Sequence, residues 1–189
     1  MPFDENDKVD FPLSPYAASK KASEEICYTY HYLYGINVLV FRFFTVYGTY
    51  GRPDMSVFRF IRWINEGENL ILYGDGKQER DFTYVEDIAN AIYSGINFTG
   101  YEIINLGNDN PVKINFIIKT IEQLLSKKAK IKKLPRHPAD ILRTCAKIKK
   151  AKEILSWNPK TDITKGLKIV VDWYLKEKDW VKDVNLGKN

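Results

Sequence analysis

The 189-residue sequence contains little cysteine and no long apolar run. Its two cysteines, Cys27 and Cys145, lie far apart, so they form neither a disulfide framework nor a metal-binding spacing. Reduced cytosolic thiols are the simple interpretation. No run approaches the roughly 20 apolar residues that a membrane span needs. The N-terminus is acidic and lacks the basic start and apolar middle of a signal peptide. We therefore expect a cytoplasmic protein with no membrane partner.

The composition favours a folded domain that binds anions. Hydrophobic residues make up 44% of the chain, which is enough to bury a core and argues against disorder. The length suits one domain of ordinary size. The formal net charge is +5, so an anionic ligand is favoured over a cationic one.

Positive charge is concentrated between residues 119 and 152. This segment carries twelve Lys or Arg residues against two acidic ones, Glu122 and Asp140. Nucleic-acid binding is one interpretation of such a segment. The basic residues alternate with apolar ones as on a folded surface, and no nucleic-acid-binding motif is present. We therefore predict a solvated surface and no nucleic-acid partner, with a few of the charges facing the phosphates of a ligand.

Strand patterns alternate with helical patterns along the chain, which predicts the α/β class. Residues 36–44 form a nearly continuous β-branched and aromatic run, typical of a strand covered on both faces of a parallel sheet. Polar, proline-containing residues 1–14 predict a loop or arm. Glycines and prolines in residues 45–53 predict a loop at the edge where open α/β sheets bind ligands. Helices are expected over residues 16–34, 56–66, 84–98, 115–125 and 147–155, and a last helix after Thr164 is expected to run to about residue 180. Further strands are expected over residues 69–73, 78–82, 101–106 and part of 127–134.

Tyr16 and Lys20 open the first helical pattern, with Ser14 as a plausible N-cap and Pro15 in the first turn. A spacing of four residues places both side chains on one helix face, with Cβ atoms about 5–6 Å apart. A neighbouring ammonium favours the ionised phenol, which makes Tyr16 a candidate general base. A surface aromatic beside a solvated lysine is the alternative.

A second group of candidate residues follows the turn Gly74-Asp75-Gly76. Arg80 stands on an extended segment, where its guanidinium could bind a phosphate or could pair with Asp81 or Asp87. Downstream, the loop Pro135-Arg136-His137-Pro138-Ala139-Asp140 is held by two prolines. Asp140 could accept hydrogen bonds from ribose hydroxyls or cap the next element, and a lone histidine such as His137 is more often a surface residue than a catalyst.

Taken together, these motifs resemble the extended short-chain dehydrogenase/reductase family, in its NAD-dependent epimerase/dehydratase branch. Among the nucleotide-sugar enzymes of that branch, the chain is most similar to UDP-glucuronate 4-epimerases. The resemblance covers residues 1 to about 174 and implies a Rossmann-type, doubly wound parallel sheet. It rests on four motifs in order: Tyr16-x-x-x-Lys20, Arg42-Phe43-Phe44-Thr45-Val46-Tyr47-Gly48, Gly51-Arg52-Pro53-Asp54-Met55, and Gly74-Asp75-Gly76-x-x-x-Arg80-Asp81-Phe82-Thr83-Tyr84-Val85-x-Asp87.

The resemblance implies an isomerase that uses NAD. In such enzymes the tyrosine takes the proton of the sugar 4-hydroxyl while NAD accepts the hydride from the same carbon. The resulting 4-keto sugar turns and receives the hydride on its other face. By resemblance, Tyr16 is the general base and later the acid, and Lys20 assists it and binds the nicotinamide ribose.

The resemblance also implies roles for further residues. Phe43 and Val46 fall near the nicotinamide end of NAD, and Thr45 lines the sugar pocket. The substrate-binding residues would be Thr45, Arg52, Tyr73, Arg80, His137 and Asp140, with Arg80 on the pyrophosphate and Tyr73 beside uracil. His137 stands where relatives carry arginine, Ala139 replaces a glycine, and Lys147 stands where relatives usually carry an aspartate.

The largest departure from the family pattern is the lack of the glycine-rich G-x-x-G-x-x-G turn, which cradles the dinucleotide pyrophosphate. The Ser or Thr that usually precedes the tyrosine is missing as well. We therefore expect an incomplete Rossmann fold corresponding to the C-terminal half of an epimerase. Residues 1–48 would be the remnant of the NAD-binding domain, and residues 49–189 would mainly bind the sugar nucleotide together with interleaved Rossmann elements.

Two functional alternatives remain open. A dTDP-glucose 4,6-dehydratase shares the motifs present here, whereas residues 45–55 favour the glucuronate branch. A non-catalytic module that binds sugar nucleotides or only assembles with other chains is the other alternative. The expected partners are a UDP-sugar and either a second copy, forming a homodimer, or a separate N-terminal half. We expect the chain alone to be inactive.

Overall fold

Helices and strands alternate along the computed structural model, which describes residues 2–136 and 140–187. None of the helices in these ranges combines the length and apolar character needed to cross a lipid bilayer. The helices are α1 (Pro15–Tyr34), α2 (Ser56–Glu66), α3 (Val85–Ser94), α4 (Ile114–Leu125), α5 (Lys149–Leu155), α6 (Ile163–Lys176) and α7 (Lys178–Val181). The strands are β1 (Val38–Phe43), β2 (Thr45–Tyr47), β3 (Asn69–Tyr73), β4 (Glu79–Arg80), β5 (Phe82–Tyr84), β6 (Tyr101–Leu106), β7 (Val112–Lys113) and β8 (Lys130–Leu134).

Parallel pairing dominates the sheets. Strands β1 and β6, β2 and β5, and β3 and β8 pair in parallel, and only the short β4 and β7 pair antiparallel within the described residues. Helices connect the parallel strands, as crossover connections require. The α/β class with a Rossmann-type parallel arrangement is confirmed.

The predicted strand at residues 36–44 differs from the observed one. Strand β1 ends at Phe43, the amide of Phe44 donates to the Leu106 carbonyl (3.0 Å), and β2 begins at Thr45, where the sequence predicts a loop. The amide of Thr45 donates to the Asp81 carbonyl (2.9 Å). The chain therefore changes its pairing partner from β6 to β5 within one residue. This change interrupts the single strand that the sequence predicts.

Two helices are also shorter than predicted. Helix α3 ends at Ser94, because the Gly95 amide closes the last turn on the carbonyls of Ala91 and Ile92. The final helix is interrupted at Glu177, so that α6 and α7 replace one continuous element.

The core consists of two clusters. The larger one packs α2, α4 and α6 around β3 and β5, and it includes the fully buried Ile61, Leu70 and Leu167. The smaller one packs α3 and α5 against β6 around Ile104 and Leu106. Because strands β2 and β5 run beside both clusters, residues at their ends are held between two packed layers.

Gly166 allows α6 to approach β2 closely. A Cβ atom at this position would lie 1.9 Å from Tyr47 Oη and 2.7 Å from its Cζ. The Tyr47 hydroxyl is buried and has no hydrogen-bond partner among the described residues. Burial raises the pKa of this phenol, so it stays protonated.

Helix α1 lies on the surface of this core and contributes no buried residue. The Arg42 guanidinium of β1 binds both carboxylate oxygens of Glu24, at 2.7 and 2.8 Å. The rings of Tyr28 and Tyr101 meet edge to face with centroids 5.1 Å apart. Strand β1 is half-buried rather than covered on both faces as predicted, since it pairs only with β6 in the described part of the chain.

The arm predicted for residues 1–14 is present, and its described portion has no helix and turns back at Asp4–Asp7, where the Asp7 amide donates to the Asp4 carbonyl (3.1 Å). Phe3 forms a parallel bridge with Ala146, in which the Phe3 amide donates to the Cys145 carbonyl (2.8 Å) and the Lys147 amide donates to the Phe3 carbonyl (2.9 Å). The Lys147 ammonium lies 2.6 Å from the Asp4 carboxylate. Lys147, which departs from the family pattern, therefore has a local acidic partner.

Candidate active site

Helix α1 begins and ends at the residues that the sequence predicts. The Ser14 hydroxyl accepts a hydrogen bond from the Ala17 amide (3.1 Å), Pro15 occupies the first turn, and Gly35 ends the helix with a left-handed φ of 65°. A side-chain cap and an N-terminal proline both fix the first turn. Tyr16 therefore stands in the best-defined turn of an otherwise exposed helix.

Tyr16 and Lys20 lie on one face of α1, as predicted. The Lys20 ammonium lies over the Tyr16 ring, 5.7 Å from its centroid. The Tyr16 side chain is 71% exposed, so its hydroxyl is accessible from outside the chain. The pair has the proximity and the access that a proton-transferring tyrosine needs.

Arg52 is paired with an acidic residue of its own motif. Its Nε and Nη2 atoms bind the two carboxylate oxygens of Asp54 at 3.1 and 2.6 Å. This hydrogen-bonded carboxylate raises the pKa of the Arg52 guanidinium. The motif therefore holds the guanidinium beside Asp54.

A cleft of about 590 Å³ lies among α2, β3 and β4, and Asp54 is one of its lining residues. Four of the residues predicted to bind substrate line it together: Thr45, Tyr73, Arg80 and Asp140. Apolar and aromatic side chains, including Phe60 and Trp63, form much of the wall. A mainly apolar cleft with a few charged groups is the usual form of a small-molecule site.

Arg80 is paired with Asp140 rather than with Asp81 or Asp87. Its Nη2 donates to the Asp140 carboxylate, and its Nη1 donates to the Glu79 carbonyl (2.7 Å). The Arg136 guanidinium donates to the Asp140 carbonyl (3.2 Å). Both arginines thus contact Asp140, Arg80 at its carboxylate and Arg136 at its backbone carbonyl.

Asp81 and Asp87 have structural roles. The buried Asp81 carboxylate accepts hydrogen bonds from the amides of Asn108 (2.7 Å), Asp109 (3.2 Å) and Ala146 (2.8 Å). Burial raises the pKa of Asp81, and these three amides oppose the shift. Asp87 accepts from the Thr161 amide (2.9 Å). Both acidic residues tie loops to the core, so neither pairs with Arg80.

The two residues predicted only for cofactor binding lie away from the residues that line this cleft. Phe43 is about half exposed at the end of β1, with its ring centroid 6.0 Å from that of Phe41. Val46 packs against the smaller core cluster. Side chains alternate in direction along a strand, which is why Thr45 reaches the cleft while Val46 does not. His137 lies outside the described residues.

Sequence analysis missed Arg59 as a lining residue. Arg59 stands on α2, and its guanidinium carbon lies 5.7 Å from the centroid of the Trp63 ring, one turn along the helix. Both side chains line the cleft. The spacing of four residues is the signal that could have identified them as a pair.

Comparison with known proteins identifies the class. A model of the NAD dependent epimerase/dehydratase family matches residues 1–107, which is more than half of the chain. The chain therefore belongs to this family.

Individual relatives show which members of the family the chain is similar to. A UDP-glucuronate 4-epimerase of Thermodesulfobacterium geofontis is 51% identical over 186 residues, which are 98% of this chain and 58% of that protein. The structure of UDP-glucuronic acid 4-epimerase from Bacillus cereus in complex with UDP-glucuronic acid and NAD matches with a TM-score of 0.88 and 33% identity, over 94% of this chain and 57% of that one. A dTDP-glucose 4,6-dehydratase from Bacillus anthracis in complex with NAD gives a TM-score of 0.87 and 30% identity, over 95% and 58%. The chain thus spans less than two thirds of the relatives that it matches.

Proposed function

We propose that this chain supplies the catalytic helix and the sugar-nucleotide cleft of an NAD-dependent 4-epimerase that acts on UDP-glucuronate. One observation carries the proposal: the cleft gathers Thr45, Tyr73, Arg80 and Asp140, and Asp54, the partner of Arg52, lines it as well. The relatives named as UDP-glucuronate 4-epimerases support the choice of sugar.

Tyr16 carries the proton in this proposal. Its exposed hydroxyl removes the proton from the sugar 4-hydroxyl and returns it in the second half of the cycle. The Lys20 ammonium stabilises the phenolate form. Proton transfer by a positioned side chain contributes about 10²–10⁴-fold to the rate.

The Tyr16–Lys20 face also fits a bound NAD. The Lys20 ammonium carries three donors on an exposed helix face, which suits the hydroxyls of a ribose. When bound, NAD supplies the hydride acceptor. We assign Phe43 and Val46 to the nicotinamide side, where the half-exposed Phe43 ring offers an apolar surface.

The remaining residues hold the substrate. Arg80 binds the diphosphate, because a guanidinium forms paired, charge-assisted hydrogen bonds with phosphate oxygens. Tyr73 borders the uracil ring, and Asp140 faces the ribose. The assignment of His137 to the uridine rests on the sequence motif alone. Thr45 lines the sugar pocket, and Arg52 faces the nucleotide part together with Arg80.

The proposed division of the chain follows these roles. Residues 1–48 carry the catalytic helix and belong to the NAD-binding domain, and residues 49–189 mainly bind the sugar nucleotide. We place the protein in the cytoplasm, where its two free cysteines fit a reducing environment. The half-buried β1 and the exposed apolar residues of α1 support association with a second copy or with a glycine-rich N-terminal half.

Calorimetry with UDP-glucuronate tests the proposal. We expect the purified chain to bind UDP-glucuronate, and to show no turnover when NAD alone is added, since its sequence holds no G-x-x-G-x-x-G phosphate cradle. Absence of binding would refute the substrate assignment. Turnover by the chain alone would refute the need for a second half.

A dTDP-glucose 4,6-dehydratase is the second candidate, because the Bacillus anthracis enzyme has a closely similar fold. Competition between UDP-glucuronate and dTDP-glucose for the cleft distinguishes the two. A non-catalytic binding or assembly module predicts that adding the glycine-rich half of a relative restores no turnover of either compound.

A further inference from the structure

The loop between β2 and α2, residues 48–55, carries the Arg52–Asp54 ion pair and part of the cleft wall. Asp54 lines the cleft together with Met55, the last residue before α2. The Met55 amide donates to the Arg52 carbonyl (3.1 Å), which closes a turn around the pair. The conformation of this loop therefore determines where Arg52 and Asp54 stand relative to the cleft.

Tyr50 has a strained backbone in the middle of this loop. Its φ is 54°, in the left-handed region that residues other than glycine rarely adopt. A Cβ atom at the following residue, Gly51, would lie 3.0 Å from the Gly48 carbonyl oxygen, so the chain folds back tightly around Tyr50. A conformation of this kind costs free energy and persists only where surrounding contacts hold it.

Trp173 of α6 supplies such a contact. The rings of Tyr50 and Trp173 have centroids 5.1 Å apart and planes inclined at 59°. A tilted pair of aromatic rings attracts beyond the area that it buries. Trp173 is fixed in turn, since its ring centroid lies 6.5 Å from that of Phe58, a buried residue of α2. The exposed Tyr50 ring thus joins the loop to a rigid helix.

We propose that Tyr50 is a positioning residue for nucleotide-sugar binding, which holds the β2–α2 loop, and with it the Arg52–Asp54 pair, in place through its contact with Trp173. This inference rests on the proposed function, since it assumes that a UDP-sugar occupies the cleft. The ring contact and the strain are opposed contributions of similar size. Loss of the ring therefore lets the loop relax, and the apparent affinity falls with the fraction of molecules that keep the binding conformation.

Three substitutions at Tyr50 separate the ring from the strain. Tyr50→Ala keeps the strain and removes the ring, whereas Tyr50→Phe keeps both. Tyr50→Gly removes the ring and the strain together, because glycine adopts a positive φ without steric cost. Trp180→Ala is the matched control: the half-exposed Trp180 ring contacts Trp173 from α7, with centroids 6.2 Å apart, and lies outside both the loop and the described lining of the cleft.

Calorimetry with UDP-glucuronate on the full chain tests the effect on binding. We expect Tyr50→Ala to weaken binding by about three- to tenfold, and Tyr50→Gly to recover part of that loss. Tyr50→Phe and Trp180→Ala should bind like the parent chain. Hydrogen exchange without ligand tests the loop itself: the Met55 amide should exchange faster in Tyr50→Ala than in the parent chain or in Trp180→Ala, because its bond to the Arg52 carbonyl opens more often.

Each result decides the question. Tyr50 is 73% exposed, so its variants should fold, and thermal unfolding verifies this. The inference fails while the proposed function stands if UDP-glucuronate binds the parent chain and Tyr50→Ala equally, if Tyr50→Gly recovers nothing, or if Trp180→Ala weakens binding as much as Tyr50→Ala. Unchanged exchange of the Met55 amide in Tyr50→Ala would also overturn it. If the parent chain does not bind UDP-glucuronate, the proposed function fails and the inference fails with it.

Discussion

The Arg80 guanidinium and the Asp140 carboxylate form an ion pair across 60 positions of sequence in the lining of the cleft, and Arg136 binds the Asp140 carbonyl. Both side chains of the pair are only partly exposed. A carboxylate in this position holds the guanidinium in place, and it also competes with any anionic ligand for the same donors. The pair therefore sets both the geometry and the strength of anion binding there.

Arg80→Ala is expected to weaken UDP binding, because a hydrogen bond to a charged group contributes about 1.5–3 kcal/mol. Calorimetry measures the loss directly. Arg143→Ala is the matched control, since Arg143 pairs with Glu79 at 3.1 Å and is not a lining residue of this cleft. Equal UDP affinity in Arg80→Ala and the parent chain would show that Arg80 does not bind the phosphates.

Tyr16→Phe should abolish turnover once the chain is supplied with the glycine-rich half of a relative, while UDP-glucuronate affinity stays nearly intact. The hydroxyl carries the proton, whereas the ring supplies the packing, so the rate should fall by about 10²–10⁴-fold. Tyr34→Phe, on an exposed position of the same helix, is the control and should retain the parent rate. A Tyr16→Phe rate within a few fold of the parent would assign the proton transfer to another group.

Gly166→Ala should destabilise the fold by about 1–3 kcal/mol, because overpacking displaces side chains from their preferred rotamers. The added methyl group would meet the Tyr47 hydroxyl at 1.9 Å and the ring carbon Cζ at 2.7 Å. Tyr47→Phe removes only the first of these contacts, so it should restore part of the lost stability. Chemical denaturation of the single and double variants measures the effect, and a full recovery or none would contradict the geometry.

Glu24→Gln tests how α1 is attached, and its effect should depend on pH. The Arg42 guanidinium holds the pKa of Glu24 below its usual value. The associated stabilisation is therefore complete above the unfolded pKa, near 4.5, and is lost as the pH falls through the folded pKa. At about pH 7 the variant should lose about 1.5–3 kcal/mol, and at about pH 3 the difference should be much smaller.

Denaturation at the two pH values, compared with Glu25→Gln, provides the control for Glu24. Glu25 forms an exposed pair with Lys21 at 2.6 Å on the same helix, and such pairs contribute little. A Glu24→Gln effect that does not change with pH would mean that packing rather than charge attaches α1.

Light scattering over a dilution series tests the proposed association through α1. Ile26, Tyr30 and Leu33 are exposed and share one helix face, so the apparent mass of the parent chain should fall on dilution. Ile26→Glu with Leu33→Glu should abolish this dependence. Ile96→Glu, at an exposed position after α3, should preserve it. A parent chain that is monomeric at every concentration would contradict the proposal.

Local signals in the sequence were sufficient to predict the bounds of several helices and strands. The observed bounds of α2, β3 and β6 match the predicted ones, because Gly67 ends α2 and glycines follow both strands. The caps of α1 were predicted for the same reason, since each depends on residues within a few positions of the helix end.

Long-range contacts account for what the sequence did not reveal. The change of partner between β1 and β2 depends on hydrogen bonds to Leu106 and Asp81, and the partner of Arg80 comes from a loop 60 positions away. The hydrogen bond from Arg59 to the Leu186 carbonyl joins residues 127 positions apart. Each of these contacts depends on how distant segments pack together rather than on neighbouring residues, so local sequence patterns do not predict it.

The bridge between Phe3 and Ala146 has a kinetic consequence. It closes a loop of about three quarters of the chain, and the cost of ordering so long a loop must be met before any contact between its ends forms. We expect the bridge to form late in folding and to open first under native conditions. The backbone amides of Phe3 and Lys147 should then exchange with deuterium ahead of those in β3, while the rest of the sheet remains protected.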